Sequence, residues 1–486
     1  MLKSRTITGV FWSFLEQLSK RGISIIVTLL LARLLIPEDF GLLAMMAVFV
    51  TVASALMDSG IKQAVIRKKD ATQDDFNTAF YTNLALGAFS YLILFLAAPL
   101  IADFYDEERL VLLIRVAGLI VFINSFQVIQ SAILSRELNF KNQLKASVPA
   151  SAISGIVAVI LAYSGAGVWS LVTQMLLSAL LLTMMLWWLQ RWRPTLTYNF
   201  NTFKEIYSFG YKLFLASLIR HVGRNIYVLV IANLFGASVA GLYFFANRIK
   251  ELVVSQLVSA VQQVTYPALA TLQDNDSRLK LAYRKVLGVT TFLLFPCMMM
   301  LATIAQPLFE IALPARWYDA IIYLQLMCFA NLLYPLHAIN LNILKVKGRS
   351  DLYLWLAIYK NILTFAVLFV SYRYGVIGIL IGQIVLSFIA FIPNSYYSNR
   401  LIGYSIKEQF LDCMTPLLMS LIVCFPAYLF VTFSEIGALY KVAIIVPISL
   451  VAYVGMAKIF SVQAYREAEL LFNKRFKRVK VQKGHA

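Results

Sequence analysis

Charge is what this chain has least of. Only 14% of its 486 residues are Asp, Glu, Lys or Arg, against 60% apolar, where an ordinary soluble domain carries about 25% charged residues. So few charges cannot cover a water-facing surface, which excludes a soluble globular protein and makes lipid the solvent. Acids are scarcer still: 24 Asp and Glu stand against 43 Lys and Arg, for a formal net charge of +19. In a soluble protein that balance points to nucleic acid. Here it fits the basic residues that collect in the cytoplasmic loops of membrane proteins, and no nucleic-acid partner is expected. Cys297, Cys328, Cys413 and Cys424 all lie in apolar segments and form no CxxC pair, so they read as small core residues rather than a redox or metal centre. His221, His337 and His485 are too scattered for a metal site. No nucleotide-binding motif is present, which excludes ATP hydrolysis by this chain, and no catalytic residue or cofactor is expected. Nothing reads as a removable signal peptide, because no small-residue cleavage site precedes a polar region.

What the chain has in abundance is long apolar runs. A span needs about 20 mostly apolar residues. The first half offers such runs near 10–36, 39–61, 78–101, 110–134, 147–164 and 168–189. The second half offers 206–235, 238–264, 285–306, 319–344, 352–371 and 376–397, and two more follow near 413–432 and 440–460. The expected fold is therefore an all-α polytopic membrane protein of about fourteen spans, in the inner membrane.

Every second loop is basic. The series runs Arg67, Lys68 and Lys69; Arg136, Lys141 and Lys145; Arg191 and Arg193; Arg278, Lys280, Arg284 and Lys285; Lys345, Lys347 and Arg349; Arg400 and Lys407. The loops between hold little beyond Arg109, Arg316, Arg373 and Lys441. By the positive-inside rule both termini are cytoplasmic.

The chain also repeats itself. A shift of 200 positions lays Phe14 on Phe214, Leu18 on Leu218, Ile26 on Ile226, Ala32 on Ala232, Leu34 on Leu234 and Gly41 on Gly241. Lys20 falls on Arg220 under the same shift. Apolar matches are cheap in membrane sequences; paired glycines at one turn and paired cations at one depth are not. Six spans per repeat is an even number, so the halves face the same way. Such parallel repeats build two lobes around a central cavity. The expected organisation is two pseudo-symmetric six-helix lobes, 1–203 and 204–412, a C-terminal helix pair over 413–460, and a basic cytoplasmic tail over 461–486. In that tail Leu470, Leu471 and Phe472 adjoin a dense basic cluster, which suits either a frayed tail or a helix on anionic headgroups.

A cation at the centre of a span costs about 2.5–3.5 kcal/mol, so each needs a reason. Arg33, Arg115 and Lys212 lie near helix ends and can snorkel to water. Lys20 follows Glu16 by four residues and Arg248 precedes Glu251 by three, spacings that allow ion pairs within a helix. Arg220 and Arg224 share one helix face, repel each other, and have no acid within one turn; His221 and Asn225 add polar surface. Counted from the turn at Gly236, Arg224 lies about 18 Å and Arg220 about 24 Å below the outer surface. With Lys20 and Arg21 in the first half, and Arg248 on the next helix, these residues would ring a cavity with positive charge, unless an acid on another helix pairs with them, as Asp58 and Lys360 show that other spans carry charge too. A pair of arginines suits phosphate through bidentate, charge-assisted bonds. Tyr207, Tyr211, Tyr227, Tyr243, Phe244 and Phe245 belong to the same hairpin; aromatic faces suit sugar rings, although in membrane helices aromatics more often serve as packing or interfacial anchors.

Several motifs then carry a resemblance. ARLLIPEDFGLLAM (32–45), DSGIKQAVIRKKD (58–70), SRELNFK (135–141), GAGVWSLVTQ (165–174) and the stretch from SFGYKL to YPALATLQD (208–274) occur in family order over nearly the whole chain. The sequence resembles the polysaccharide-transporter branch of the multidrug/oligosaccharidyl-lipid/polysaccharide exporter superfamily, the Wzx-type flippases, and most nearly those of the colanic acid and teichuronic acid type. The resemblance implies movement of an undecaprenyl-pyrophosphate-linked oligosaccharide from the cytoplasmic to the outer leaflet, for exopolysaccharide or related surface polysaccharide biosynthesis. It implies as partners that substrate, membrane lipids and polysaccharide polymerase machinery. It also makes the extra helix pair ordinary. One departure stands at Asn225, where relatives often carry an acid, so ion coupling through that position is not implied.

Two rivals are weaker. A drug or organic-cation antiporter of the same fold would want unpaired intramembrane acids, whereas cations dominate here. A membrane glycan polymerase or ligase would want a sizeable outer loop bearing catalytic groups. The longest outer loops, DFYDEER (103–109) and PLFEIALPARWYDA (307–320), hold acids but no His or Cys.

Overall fold

The computed structural model describes residues 2–68 and 70–467. All the described regular structure is helical, as an apolar chain without water requires, since a helix satisfies its own backbone. Most of the expected tail, from residue 468 on, lies outside the described residues, as does Lys69.

Helix starts are written locally. α1 (Leu2–Leu34) leads into α2 (Pro37–Asp58), where Pro37 stands at the first helical position and loses no bond by lacking an N–H. α2 ends at Ser59 and Gly60, both left-handed (φ 38° and 70°), and α3 (Ile61–Arg67) turns off at once. α4 (Gln73–Tyr105) opens on a capping box: the Thr72 amide donates to Asp75 Oδ2 at 2.9 Å and the Asp75 amide to Thr72 Oγ1 at 3.4 Å. α5 (Arg109–Ser125), α6 (Val128–Arg136), α7 (Phe140–Tyr163) and α8 (Val168–Leu189) follow. α9 (Phe200–Ala270) breaks at Gly236, whose φ of 80° and ψ of 178° only glycine adopts without strain. The rest are α10 (Asp276–Thr303), α11 (Ala305–Ala312), α12 (Ala320–Ala330), α13 (Tyr334–Val346), α14 (Ser350–Ser371), α15 (Gly375–Ile402), α16 (Ile406–Phe433) and α17 (Ala438–Ile459). A second capping box, Ser405 with Glu408, starts α16.

Among the described residues nine helices are long and apolar enough to cross a membrane, or eleven when the bent pairs α5–α6 and α12–α13 each count as one span. The fourteen expected runs count separately the two arms on either side of Gly236, and likewise α14 and α15, which turn on Tyr372–Tyr374. They also include α1, which carries Glu16, Lys20, Arg21 and Arg33.

The chain divides into two units, Met1–Phe244 and Phe245–Ala486. In the first, α4 packs on α5, α7 on α8, α1 on α7, and α2 on α4 and α5. Small residues set the approach, as between membrane helices generally: a Cβ on Gly87 would meet Ser125, and one on Gly155 would meet Val27. The stretch from Arg193 to Thr202, a loop running into the first turn of α9, is stapled to the start of α4. Asn77 Nδ2 donates to Thr195 Oγ1 (2.6 Å) and Thr197 Oγ1 (2.7 Å), and Thr202 Oγ1 donates to Asp75 Oδ1 (3.1 Å). Arg136 of the SRELNFK stretch donates to the Val65 carbonyl (2.6 Å) and to that of Lys68, closing the end of α3.

In the second unit α16 packs along α10, and α17 along α11 and α16. A buried polar network fastens α16 there. Tyr283 and Ser398 both donate to Asn340 Oδ1 at 2.7 Å, and Asn340 Nδ2 donates to Gln409 Oε1 at 2.9 Å. Arg284 forms a fork on Asp412 (2.8 and 2.6 Å), which also accepts from Tyr404 (2.6 Å).

Candidate functional site

In the first unit the structure sorts the expected cations by what they touch. Lys20 lies 4.0 Å from Glu16, the pair the i, i+4 spacing allows, and Glu16 also accepts from Ser147 Oγ at 2.9 Å. Two residues not assigned to the site from the sequence join them. Lys62 donates to Ser131 Oγ at 2.8 Å and lies within electrostatic reach of Asp58, Glu16 and Lys20. Asp58 accepts from the Lys62 backbone, while its Oδ1 is buried without a partner. Glu16, Lys20, Asp58 and Lys62 together sum to zero formal charge. Only the DSGIKQAVIRKKD stretch signals Asp58 and Lys62 in the sequence.

Arg21, next to Lys20 but turned to another face of α1, belongs to no such balance. It is partly buried and its Nη1 is buried with no hydrogen-bond partner. Arg220 is exposed and donates from Nη2 to Ser217 Oγ at 3.3 Å, a neutral hydroxyl and not a carboxylate. Arg224 is exposed one turn further along α9. His221 lies between them, within electrostatic reach of both. Asn225 spends its amide on the His221 carbonyl (2.8 Å), one turn back on its own helix. Arg248 belongs to the second unit and is partly buried; beside it Lys250 lies 3.6 Å from Glu251 and donates to Asn247 at 2.7 Å.

The aromatics split. Tyr207 and Tyr211 are exposed and stacked at 6.2 Å, continuing from Phe203 against Tyr207 at 5.5 Å. Tyr243 and Phe245 are buried, Phe245 against Trp317 at 4.6 Å and Phe309 at 6.2 Å. Those two are core, because a helix face that packs on neighbours shows the same apolar residues as one that lines a cavity. Arg115, expected to snorkel, sets its guanidinium 4.5 Å over the Phe95 ring.

One concavity of about 380 Å³ opens between α3 and the start of α9, lined by Arg67, Lys68, Asp75 and Glu205 among others. Its charges are matched internally: Lys68 Nζ lies 3.0 Å from both Asp75 and Glu205. Glu205 is 15 residues from Arg220, about 22 Å along the helix. The concavity is therefore separate from the span cations and is not assigned to a substrate.

Comparison with known proteins adds family and fold. A family model described as "polysaccharide biosynthesis protein" matches residues 30–322, more than half of the chain. Lipopolysaccharide biosynthesis protein WzxC of Escherichia coli (strain K12) is 25% identical, with 86% of each chain covered. Teichuronic acid biosynthesis protein TuaB of Bacillus subtilis (strain 168) is 23% identical over 82% of this chain and 85% of its own. Among solved structures, the lipid II flippase MurJ in an inward closed conformation superposes with a TM-score of 0.71 at 15% identity, over 95% of this chain and 99% of that one. An inward-facing multidrug-resistance transporter of the MATE family, in the MOP superfamily, superposes with a TM-score of 0.62 at 18% identity, over 79% and 96%. At those identities the two structures speak to fold.

Proposed function

Because the chain belongs to the polysaccharide biosynthesis protein family, we propose that it is a flippase. Its substrate in this reading is a polyprenyl-pyrophosphate-linked oligosaccharide repeat unit, carried from the cytoplasmic to the outer leaflet of the inner membrane. The names of the relatives, concerned with lipopolysaccharide and teichuronic acid, and the fold shared with a lipid II flippase support this reading. The observation that carries it is the state of the span arginines: Arg220 bonds a hydroxyl rather than an acid, and Arg21 keeps a buried nitrogen with nothing to bind. A pyrophosphate is the anion such guanidinium groups recognise through charge-assisted bonds.

In the mechanism that follows, Arg220, Arg224 and Arg21 hold the pyrophosphate, with Arg248, Lys20, His221 and Asn225 as further polar contacts. The sugars pass with it while the lipid tail stays in the bilayer, and the two lobes, 1–203 and 204–412, rock alternately around the headgroup. Both termini are cytoplasmic in this reading. The cation-antiporter alternative finds little to use. Among the described residues Asp58 carries the one buried carboxylate oxygen without a partner, and Lys62 sits beside it.

The test is the Arg220→Ala, Arg224→Ala double variant. Export of surface polymer should stop, lipid-linked intermediate should accumulate on the inner leaflet, and the protein should remain inserted and abundant. Single Arg→Lys variants should be partly active, since an ammonium keeps the charge but loses the fork. Normal export from the double variant would rule the reading out.

A further inference from the structure

The second unit carries an unmatched cation of its own. Lys360 stands ten residues from the start of α14 and eleven from its end, about 15 Å from either end at the helical rise. That is too deep for its side chain to snorkel freely, and a cation at such a depth is functional by default. Its neighbours offer it no acid. α14 packs against α13, α15 and the turn at Tyr372–Tyr374. None of these three contains an Asp or Glu; their ionisable groups are His337 and Lys345, Arg400, and Arg373, besides tyrosines. On α14 itself the acid is Asp351, which is held by Arg349 at 2.6 Å at the helix start.

The group that faces Lys360 electrostatically is His337, and its ring is fixed at both nitrogens. Asn394 Nδ2 lies 2.8 Å from Nδ1, and Ser387 Oγ lies 3.3 Å from Nε2. With the amide donating to Nδ1, the ring proton stands on Nε2 toward Ser387, and the imidazole is neutral. A neutral ring beside the ammonium does not compensate its charge. Behind it Asn394, only 1% exposed, keeps a buried Oδ1 with no partner. A permanent ion pair would have consumed the charge, and a plain packing position would have needed none of these polar groups.

We propose that Lys360, with His337 and Asn394 behind it, is an anion-binding site of the second unit, whose partner is an oxyanion of the lipid-linked glycan. That oxyanion is a phosphate oxygen or a sugar carboxylate, the chemistry being shared. The site rests on the flippase reading and adds a contact distinct from Arg220 and Arg224. A single ammonium gives one strong charge-assisted contact and no bidentate fork, so it suits either group.

The experiment uses the full chain in lipid nanodiscs, wild type against Lys360→Met and Lys360→Arg. The probes are a short-chain prenyl pyrophosphate without sugar and a uronate-bearing oligosaccharide without lipid. Lys360→Met should weaken one probe by about tenfold or more, the loss of one charge-assisted contact, while Lys360→Arg should bind close to wild type. Weakening of the prenyl pyrophosphate makes the partner phosphate; weakening of the oligosaccharide makes it carboxylate. Thermal stability of Lys360→Met should equal or exceed wild type, because an unmatched charge has been removed. A destabilised Lys360→Met would reveal an acidic partner and overturn the proposal, as would wild-type affinity of Lys360→Met for both probes. If the Arg220→Ala, Arg224→Ala variant loses the prenyl pyrophosphate while Lys360→Met loses neither probe, only this inference falls. If wild type binds neither probe, the flippase reading falls with it.

Discussion

Gly41 and Gly241 hold α2 and the second arm of α9 backbone to backbone. A Cβ on Gly41 would collide with the carbonyl of Ala237, and one on Gly241 with the carbonyl of Pro37. Pro37 and Ala237 are themselves 200 positions apart, the same separation as the two glycines. The contact is reciprocal: each segment meets the counterpart of what the other meets, the pattern a local two-fold relation imposes. Ile36, extended at ψ 159°, and Gly236, at ψ 178°, start the two helices at matching positions.

Gly41→Ala and Gly241→Ala should therefore destabilise by similar amounts, on the order of 1–3 kcal/mol each, since the obstructing atoms are backbone and cannot rotate away. The double variant should fall short of additivity, because the two share one contact. Gly22→Ala, with open space around it, is the control and should cost nothing. Thermal unfolding in detergent ranks the three. A Gly41→Ala protein as stable as Gly22→Ala would undo the reciprocity.

Much of this was legible in the chain. The helices fall where the apolar runs fall, and the capping boxes at Thr72 and Ser405 can be read as T-x-x-D and S-x-x-E. Lys20 beside Glu16 follows from spacing alone. What spacing cannot give is the partner from a distant helix. Ser147 reaches Glu16 across 131 positions, and Asn340 reaches Gln409 across 69. Tyr243 and Phe245 could line a cavity or pack in the core for the same reason: periodicity identifies an apolar face but not what covers it. Arg21 differs from Lys20 by one residue and 100° of helix, which separates a balanced cation from an unmatched one.

Loop charge makes a topology prediction. Reporter fusions at residues 106 and 316 should read as periplasmic, and fusions at 68, 141, 280, 347 and the C-terminus as cytoplasmic. A periplasmic C-terminus would mean an odd number of spans and would break the parallel repeat.

Lys68 ties the α3–α4 junction to the start of α9. Its hydrogen bond to Asp75, with that to Glu205, raises its ammonium above the ordinary lysine range. A raised cation contributes stability that is complete below the unfolded value, about 10.4, and is lost as pH climbs through the folded one. The pairing is partly exposed, so its worth is at most about 1 kcal/mol. Unfolding temperature should fall more steeply above about pH 10.4 in wild type than in Lys68→Met. Parallel pH curves for the two proteins would show that the bridges contribute nothing.

Lys20 and Arg21 give the sharpest contrast. Lys20 is one of two cations balancing Glu16 and Asp58, so Lys20→Met leaves the cluster one negative charge in excess inside the membrane. The carboxylates left behind are the buried side of the cluster, Glu16 being 15% exposed and Asp58 holding a buried Oδ1; stranding their charge is destabilising, and steady-state abundance should drop. Adding Glu16→Gln to Lys20→Met removes the excess charge and should restore it. Arg21 has no such debtor. Its buried Nη1 lacks a partner, so Arg21→Met relieves an unsatisfied group, and abundance should hold or rise. If Arg21 meets the pyrophosphate, export from that abundant protein should nonetheless collapse, and Arg21→Lys should recover only part of it. Abundance and polymer export measured on the same cells separate the two roles. Loss of abundance in Arg21→Met, or full export from it, would return Arg21 to the structural residues.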